Sequence, residues 1–307
     1  MPARVADIAP ISLALVEADP AEAARRFGDS FRRTGFAVVE GHGVPEPLIA
    51  RMLAATKAVF ALPEADKMAG FVPGGAGQRG YTPFGREIAK GAEAHDLKEF
   101  WHVGRELPPG HPLSHVMAPN VWPAGVPAFR EAALQLFDAL ERAGLVILSA
   151  IARDLGLPPD HFLDAVRDGN SILRLLHYPP VPPDAPGVRA GAHEDINVIT
   201  LLLGAEEAGL ELLARDGTWL TVEAPPGSIV VNVGDMLDRL TGGDLPSTTH
   251  RVVNPPPERR HIARYSMPFF LHFRPDFVIV PLCGDRSLAP ISAQDFLNQR
   301  LSEIGLL

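Results

Sequence analysis

The chain has 307 residues, 46% hydrophobic and 21% charged, an ordinary globular composition with enough apolar material for a full-sized core. Its formal net charge of −9 argues against a general nucleic-acid binder, which would present a basic stripe to phosphates. One cysteine, Cys283, precludes an internal disulfide, no run approaches the ~18 apolar residues of a membrane helix, and Met1 to Asp7 lacks a signal-peptide core, so the expectation is a soluble, cytoplasmic protein with no membrane partner.

In chain order, Ile8 to Leu13 reads as a short edge-like segment. Pro20 to Arg33 has helical spacing behind Asp19 as N-cap. Gly35 to Glu40 reads as a strand closed by the Gly41-His42-Gly43 turn, and Pro47 to Phe60 as a second amphipathic helix. Residues 69–95, rich in glycine and charge, form a long excursion. Helical pattern returns from Pro127 to Leu155 and from Pro158 to Arg167. The character then changes. From Ser171 to Val280 come short β-type runs between Pro/Gly turns: Ile172 to Tyr178, Val198 to Leu203, Leu210 to Leu213, Trp219 to Val222, Ser228 to Val233, His250 to Val253 and His261 to Phe270. Such spacing predicts a sandwich or jelly roll, so the fold class is a mostly β barrel core wrapped by N-terminal and flanking helices. Ser292 to Leu307 reads as an amphipathic C-terminal helix.

Chemistry enters at His193-Glu194-Asp195. On an extended segment, residues two apart share a face, so His193 and Asp195 can point inward together. An imidazole and a carboxylate that converge suit a divalent first-row metal, and a second histidine would complete a facial triad. Taken alone, such a pair is more often a pair of surface polar residues. The later β-segment Thr248 to Val253 can return beside the first and offer His250. Arg264 and Ser266 form another two-apart pair. An inward arginine in a barrel is costly unless it meets an anion, and its fork suits a carboxylate, whether a ligand's or an internal acid's.

In this order the elements resemble the iron(II)/2-oxoglutarate-dependent dioxygenases, specifically the isopenicillin N synthase-like branch, over nearly the whole chain. The resemblance is carried by Gly35-Phe36-Ala37-Val38-Val39 with Gly41-His42-Gly43-Val44, by Gly80-Tyr81, and by Asp96-Leu97-Lys98-Glu99. It continues in Leu173-Arg174-Leu175-Leu176-His177-Tyr178-Pro179-Pro180, in Asn232-Val233-Gly234-Asp235, and in His250-Arg251-Val252 with Arg264-Tyr265-Ser266-Met267-Pro268-Phe269-Phe270. It implies His193, Asp195 and His250 as ligands of Fe(2+). It implies Arg264 and Ser266 as the anchor of 2-oxoglutarate, with Tyr178 matching a tyrosine that reaches the same cosubstrate. Asn232 and Asp235 are read as turn-shaping residues. Two positions depart from the pattern: Leu176 replaces the usual Asn, and the stretch between His250 and Arg264 is long.

The resemblance further implies a family N-terminal region over 1–120, a jelly-roll core over 168–275, and supporting helices over 121–167 and 276–307, together one structural unit. The implied reaction couples oxidative decarboxylation of 2-oxoglutarate by O2 to hydroxylation, desaturation or ring formation on a small-molecule substrate. Two alternatives stay open: a 2-oxoglutarate-independent iron oxidase of the same fold, and a cupin-type metal protein. Candidate substrate-pocket residues are Phe84, Arg86, Trp101, Phe270 and His272, with Arg86 and Lys90 available to an acidic substrate. A monomer is compatible with the sequence.

Overall fold

A computed structural model describes residues 4–86, 95–182, 185, 187–203 and 209–304. The N-terminal part runs β1 (Arg4–Val5), β2 (Ile11–Ser12), α1 (Leu15–Ala18), α2 (Pro20–Thr34), β3 (Phe36–Glu40), α3 (Glu46–Phe60), α4 (Glu64–Met68), β4 (Gly80–Thr82) and β5 (Glu99–Gly104). The long α5 (Ala128–Asp154) and the single turn α6 (Leu163–Val166) lead into β6 (Ile172–Tyr178), β7 (Ala190–His193), β8 (Ile199–Leu203), β9 (Leu210–Leu213), β10 (Trp219–Thr221) and β11 (Ile229–Val233). Then follow α7 (Asp235–Thr241), β12 (His250–Val252), β13 (Arg264–Ser266), β14 (Pro268–Leu271), β15 (Val278–Ile279), β16 (Ile291–Ser292) and α8 (Ala293–Glu303).

Local chemistry sets several boundaries. Asp19 accepts the Glu22 amide at 3.1 Å to cap α2, and Gly35 ends it in the left-handed region at φ 69°. A Cβ there would also strike Thr248 Oγ1 at 2.3 Å, so this position is closed to other residues. The helix expected over Pro158 to Arg167 shrinks to α6. Proline at 158 and 159 holds back its start, and Asp168 at φ 57° stops it. The strand expected from His261 to Phe270 splits into β13 and β14, although both keep one continuous register with β6. Pro268 has no N–H to give to the ladder and interrupts it.

The main sheet has the order β2-β3-β11-β8-β14-β6-β5-β4, with β13 also on β6. The smaller sheet runs β1-β10-β9-β12-β7. Along each central strand of the main sheet, alternate residues feed different cores. Ala37, Val39, Trp101, Val103, Leu173, Leu175, Leu201, Val231 and Phe269 join the large cluster built with α2, α3 and α5. Phe36, Val38 and Val230 pack with Leu210 and Leu212 of the smaller sheet. Phe100, Leu176 and Tyr178 pack with its Ala190 and Val252. The two sheets thus face each other, and the space between them holds the polar residues discussed below.

Trp101 belongs to the helix side. It is fully buried, lies 5.9 Å from the Phe129 ring centroid, and donates its indole N–H to the Val121 carbonyl at 3.0 Å. The expected pocket role for Trp101 is therefore corrected: strand parity turns it into the core and turns Phe100 and His102 toward the cleft.

The helix side of β5 also carries a buried polar knot. Glu99 accepts from Lys67 Nζ at 2.7 Å, Tyr81 Oη at 2.5 Å and His177 Nδ1 at 2.7 Å. Burial pushes the Glu99 carboxyl up, but the three donors together outweigh it and hold it below 4.5. Glu99→Ala would leave the Lys67 ammonium with its buried partner gone and should cost about 3–5 kcal/mol in urea unfolding. Because the folded carboxyl sits below its unfolded value, its contribution is full above the ordinary value of 4.5 and fades as pH falls through the folded one. The gap between wild type and Glu99→Gln should therefore stay constant at neutral pH and close in acid.

Candidate metal centre and substrate cleft

His193 ends β7 and His250 opens β12, and the two are direct partners in the antiparallel ladder. Cross-strand partners bring their side chains together, and the ring centroids lie 4.4 Å apart. Asp195 follows just beyond β7. Its Oδ1 is 3.8 Å from His193 Nε2, and its Oδ2 is 3.8 Å from His250 Nε2. One ligand atom from each of the three residues lies within 4.8 Å of the others.

Both imidazoles are oriented through their other nitrogen. His193 Nδ1 donates to the Gly191 carbonyl at 2.8 Å and His250 Nδ1 to the Thr248 carbonyl at 3.0 Å. Each Nε2 is left with a lone pair turned to the shared point. Burial, reinforced by His250, pushes His193 down to about 4, so it is neutral at pH 7. Burial pushes the Asp195 carboxyl up, but His250, His193, Asn232 and Thr200 outweigh that and keep it an anion. Asn232 Nδ2 and Thr200 Oγ1 both donate to Asp195 Oδ2, at 2.8 and 2.5 Å, and Asn197 Nδ2 donates to Thr200 Oγ1 at 2.8 Å. Two oriented imidazoles and one oriented carboxylate are the donor set of a 2-His-1-carboxylate iron centre. Two donors 3.8 Å apart can both reach one ion at bonds of about 2.0–2.2 Å. The residues fit iron(II).

The comparisons with known proteins agree with that donor set. Residues 169–273 match the 2OG-Fe(II) oxygenase superfamily, and residues 5–125 match the family described as non-haem dioxygenase in morphine synthesis, N-terminal. A 2-oxoglutarate-Fe(II) type oxidoreductase of Emericella nidulans is 34% identical, over 88% of this chain and 81% of that one. The chain belongs to the 2-oxoglutarate–Fe(II) oxygenases. Among solved structures, a 2OG-Fe(II) oxygenase family protein from Caulobacter crescentus is 53% identical, covers 98% of this chain and all of its own, and superposes with a TM-score of 0.90. A full-length Neurospora crassa protein in complex with alpha-KG is 29% identical, with coverage of 98% and 99% and a TM-score of 0.87. The oxygenase is accordingly a non-haem iron enzyme on a jelly-roll core, with Fe(II) and 2-oxoglutarate as cofactor and cosubstrate.

Arg264, Ser266 and Tyr178 form a second group between the sheets of this oxygenase. All three are buried, Arg264 pairs in register with Tyr178, and its guanidinium lies 5.1 Å from the tyrosine ring centroid. Tyr265, between them in sequence, faces the other way and stacks on His177. Arg259 is exposed and Arg260 half-buried, both outside the strands.

His193 and Asp195 line a cleft of about 430 Å³. Phe270 lines it, as do Arg174, His102, Lys98 and His272. Arg174 stands over the Phe100 and Phe270 rings and donates from Nε to His102 Nε2 at 2.6 Å. Lys98 pairs with Asp96 at 2.8 Å, and Asp96 in turn accepts the Gly191 amide at 2.8 Å. Phe84 and Arg86, expected as pocket walls, are not among the lining residues. Phe84 is half exposed and the Arg86 guanidinium stands 5.5 Å over the Phe71 ring, while Lys90 falls outside the described residues. Leu297, Leu301 and Ile304 of the α8 region close one side, where Arg300 bonds Asp235 at 2.7 Å and approaches Glu194 at 3.7 Å.

Asn232 does more than shape a turn. It sits on β11 in register with Thr200 of β8, and both turn toward Asp195. Thr200 and Asn197 had a signal in sequence, being polar residues in or beside the apolar run Val198 to Leu203. Asn232→Leu would leave Asp195 Oδ2 with one donor fewer. Losses at such supporting positions run about 10–100-fold in metal affinity, the drop expected in an anaerobic iron(II) titration against a competing chelator.

Proposed function

We propose that this oxygenase couples the decarboxylation of 2-oxoglutarate to hydroxylation of a C–H bond in a small metabolite, with iron(II) held by His193, Asp195 and His250. The observation that carries this reading is the convergence of three ligand atoms from two facing strand ends within 4.8 Å, each oriented by a second hydrogen bond. When bound, the iron and 2-oxoglutarate supply the oxidising chemistry, consuming O2 and releasing succinate and carbon dioxide. The chain's own residues bind and orient. Asn232 and Thr200 occupy Asp195 Oδ2 and so favour Oδ1 for the metal. Arg264 offers a two-pronged fork to the far carboxylate of 2-oxoglutarate, with Ser266 on the same face and the Tyr178 hydroxyl as further donors. Leu297, Leu301 and Ile304 restrict water on the substrate side.

Desaturation or ring closure would use the same residues, with the outcome set by which C–H bond is presented. The reading is of a cytoplasmic enzyme whose partner is a small molecule, in keeping with the net charge of −9. Among the described residues no helix is long and apolar enough to cross a membrane.

Anaerobic addition of iron(II) and 2-oxoglutarate should produce a visible metal-to-ligand charge-transfer band that His193→Ala abolishes. A folded, iron-loaded protein that shows no such band, or that consumes O2 with substrate alone, would overturn the reading. Arg264→Leu should raise KM for 2-oxoglutarate by about 100-fold, equivalent to ~3 kcal/mol, the scale for truncating one side of a buried hydrogen-bonded charge pair.

A further inference from the structure

Residues 95–98 lie against the chain that leads into β7, the strand that ends on His193. The Leu97 amide donates to the Val188 carbonyl at 3.0 Å, and a Cβ on Gly187 would come 2.6 Å from the His95 carbonyl. Asp96 and Lys98 are 6% and 7% exposed, and they pair with each other at 2.8 Å through Asp96 Oδ2. Asp96 Oδ1 accepts the Gly191 amide at 2.8 Å. A buried carboxylate thus reaches across from the start of β5 to hold one backbone group of β7.

β7 has a reason to need that bond. Its pairs with β12 are His193 with His250 and Ala190 with Val252, which leaves Gly191 and Ala192 opposite Arg251 alone. This is a β-bulge, which disrupts the ladder locally and re-aims the side chains beside it. Glycine, with no Cβ, brings the fewest restraints of its own to such a place. Yet the Gly191 carbonyl is the group that accepts from His193 Nδ1, at 2.8 Å, and so sets the direction of the ring. The Gly191 amide and the Gly191 carbonyl flank one Cα and belong to different peptide units. Asp96 therefore acts on where that carbonyl points rather than on its charge.

We propose that Asp96 is a positioning residue for the iron centre: by pinning the bulge at Gly191 it fixes the carbonyl that aims the His193 ring, and Lys98 holds the Asp96 carboxylate in turn. This rests on the reading of His193 as an iron ligand. It gives Asp96 and Lys98, on the cleft side, a task distinct from that of Glu99, which serves the knot on the helix side.

Iron(II) affinity, measured anaerobically by competition with a chelator, is the first readout. Asp96→Ala should weaken it about tenfold, the lower end for a residue that supports a metal ligand. Asp96→Asn keeps an acceptor for the Gly191 amide and should return to within about threefold of wild type. Glu99→Gln disturbs a buried carboxylate on the other face of the same segment and should leave iron affinity unchanged, which separates positioning from a general loss of stability. The second readout is nitrogen-15 NMR of histidine-labelled enzyme loaded with zinc(II) as a diamagnetic stand-in. The His193 Nδ1 proton should move upfield in Asp96→Ala as its hydrogen bond loosens, while that of His250, held by the Thr248 carbonyl, keeps its place. Asp96→Glu keeps a charge for Lys98 but displaces the oxygens from Gly191. It should behave like the alanine variant, and it decides the matter if that variant does not fold. Wild-type iron affinity in Asp96→Ala or Asp96→Glu, an asparagine variant as weak as alanine, an equal loss in Glu99→Gln, or equal movement of both histidine signals would each overturn the proposal. If His193→Ala binds iron(II) as tightly as wild type, the ligand reading fails instead.

Discussion

A sheet buried on both faces must satisfy two different environments with one strand, and the period of two along a strand is what makes that possible. In the main sheet Leu173, Leu175, Leu201, Val231 and Phe269 feed the helix-covered core. Their neighbours Arg174, Thr200, Asn232 and Phe270 face the other way, where the two sheets enclose the cleft and the metal centre. The large core fixes the strands, and fixed strands hold the polar side chains at distances of 2.5–2.8 Å around Asp195. A site placed this way has positional accuracy that loops would not give it.

Electrostatic pairing follows the same plan. Charges buried between or behind the strands come with partners: Lys98 with Asp96, Lys67 with Glu99, Arg300 with Asp235. A lone buried charge would be expensive, and the Lys67–Glu99 and Arg300–Asp235 pairs also tie separate segments together. The Asp235 amide donates to the Asp195 carbonyl at 2.7 Å, which links the C-terminal helix through Arg300 to the turn that carries the metal-site carboxylate.

Much of this was legible in the sequence, because parity and turn residues are local signals. The two-apart spacing of His193 and Asp195, and of Arg264 and Ser266, was enough to put each pair on one face, and the strands Ile172 to Tyr178 and Leu210 to Leu213 begin and end as expected. Other features depend on which strand lies beside which. Asn232 reads as a turn residue until β11 is seen next to β8, and Trp101 reads as a pocket wall until β5 is given a face. The Arg300–Asp235 contact joins residues 65 positions apart in the chain, a distance that no local pattern encodes.

The smaller sheet ends on β7, the strand that carries His193. An edge strand has one row of backbone groups without a ladder partner, and in β7 the Gly191 amide turns to the Asp96 carboxylate instead. β7 is short, and its register with β12 shifts between the His250 and Val252 pairings. An ion shared by His193 and His250 would act as a cross-link exactly opposite that weakness, pinning the registration of the outermost strand. Iron would then be a structural rivet as well as a reactive centre, and the exchange rates of the β7 amides would report its arrival and departure.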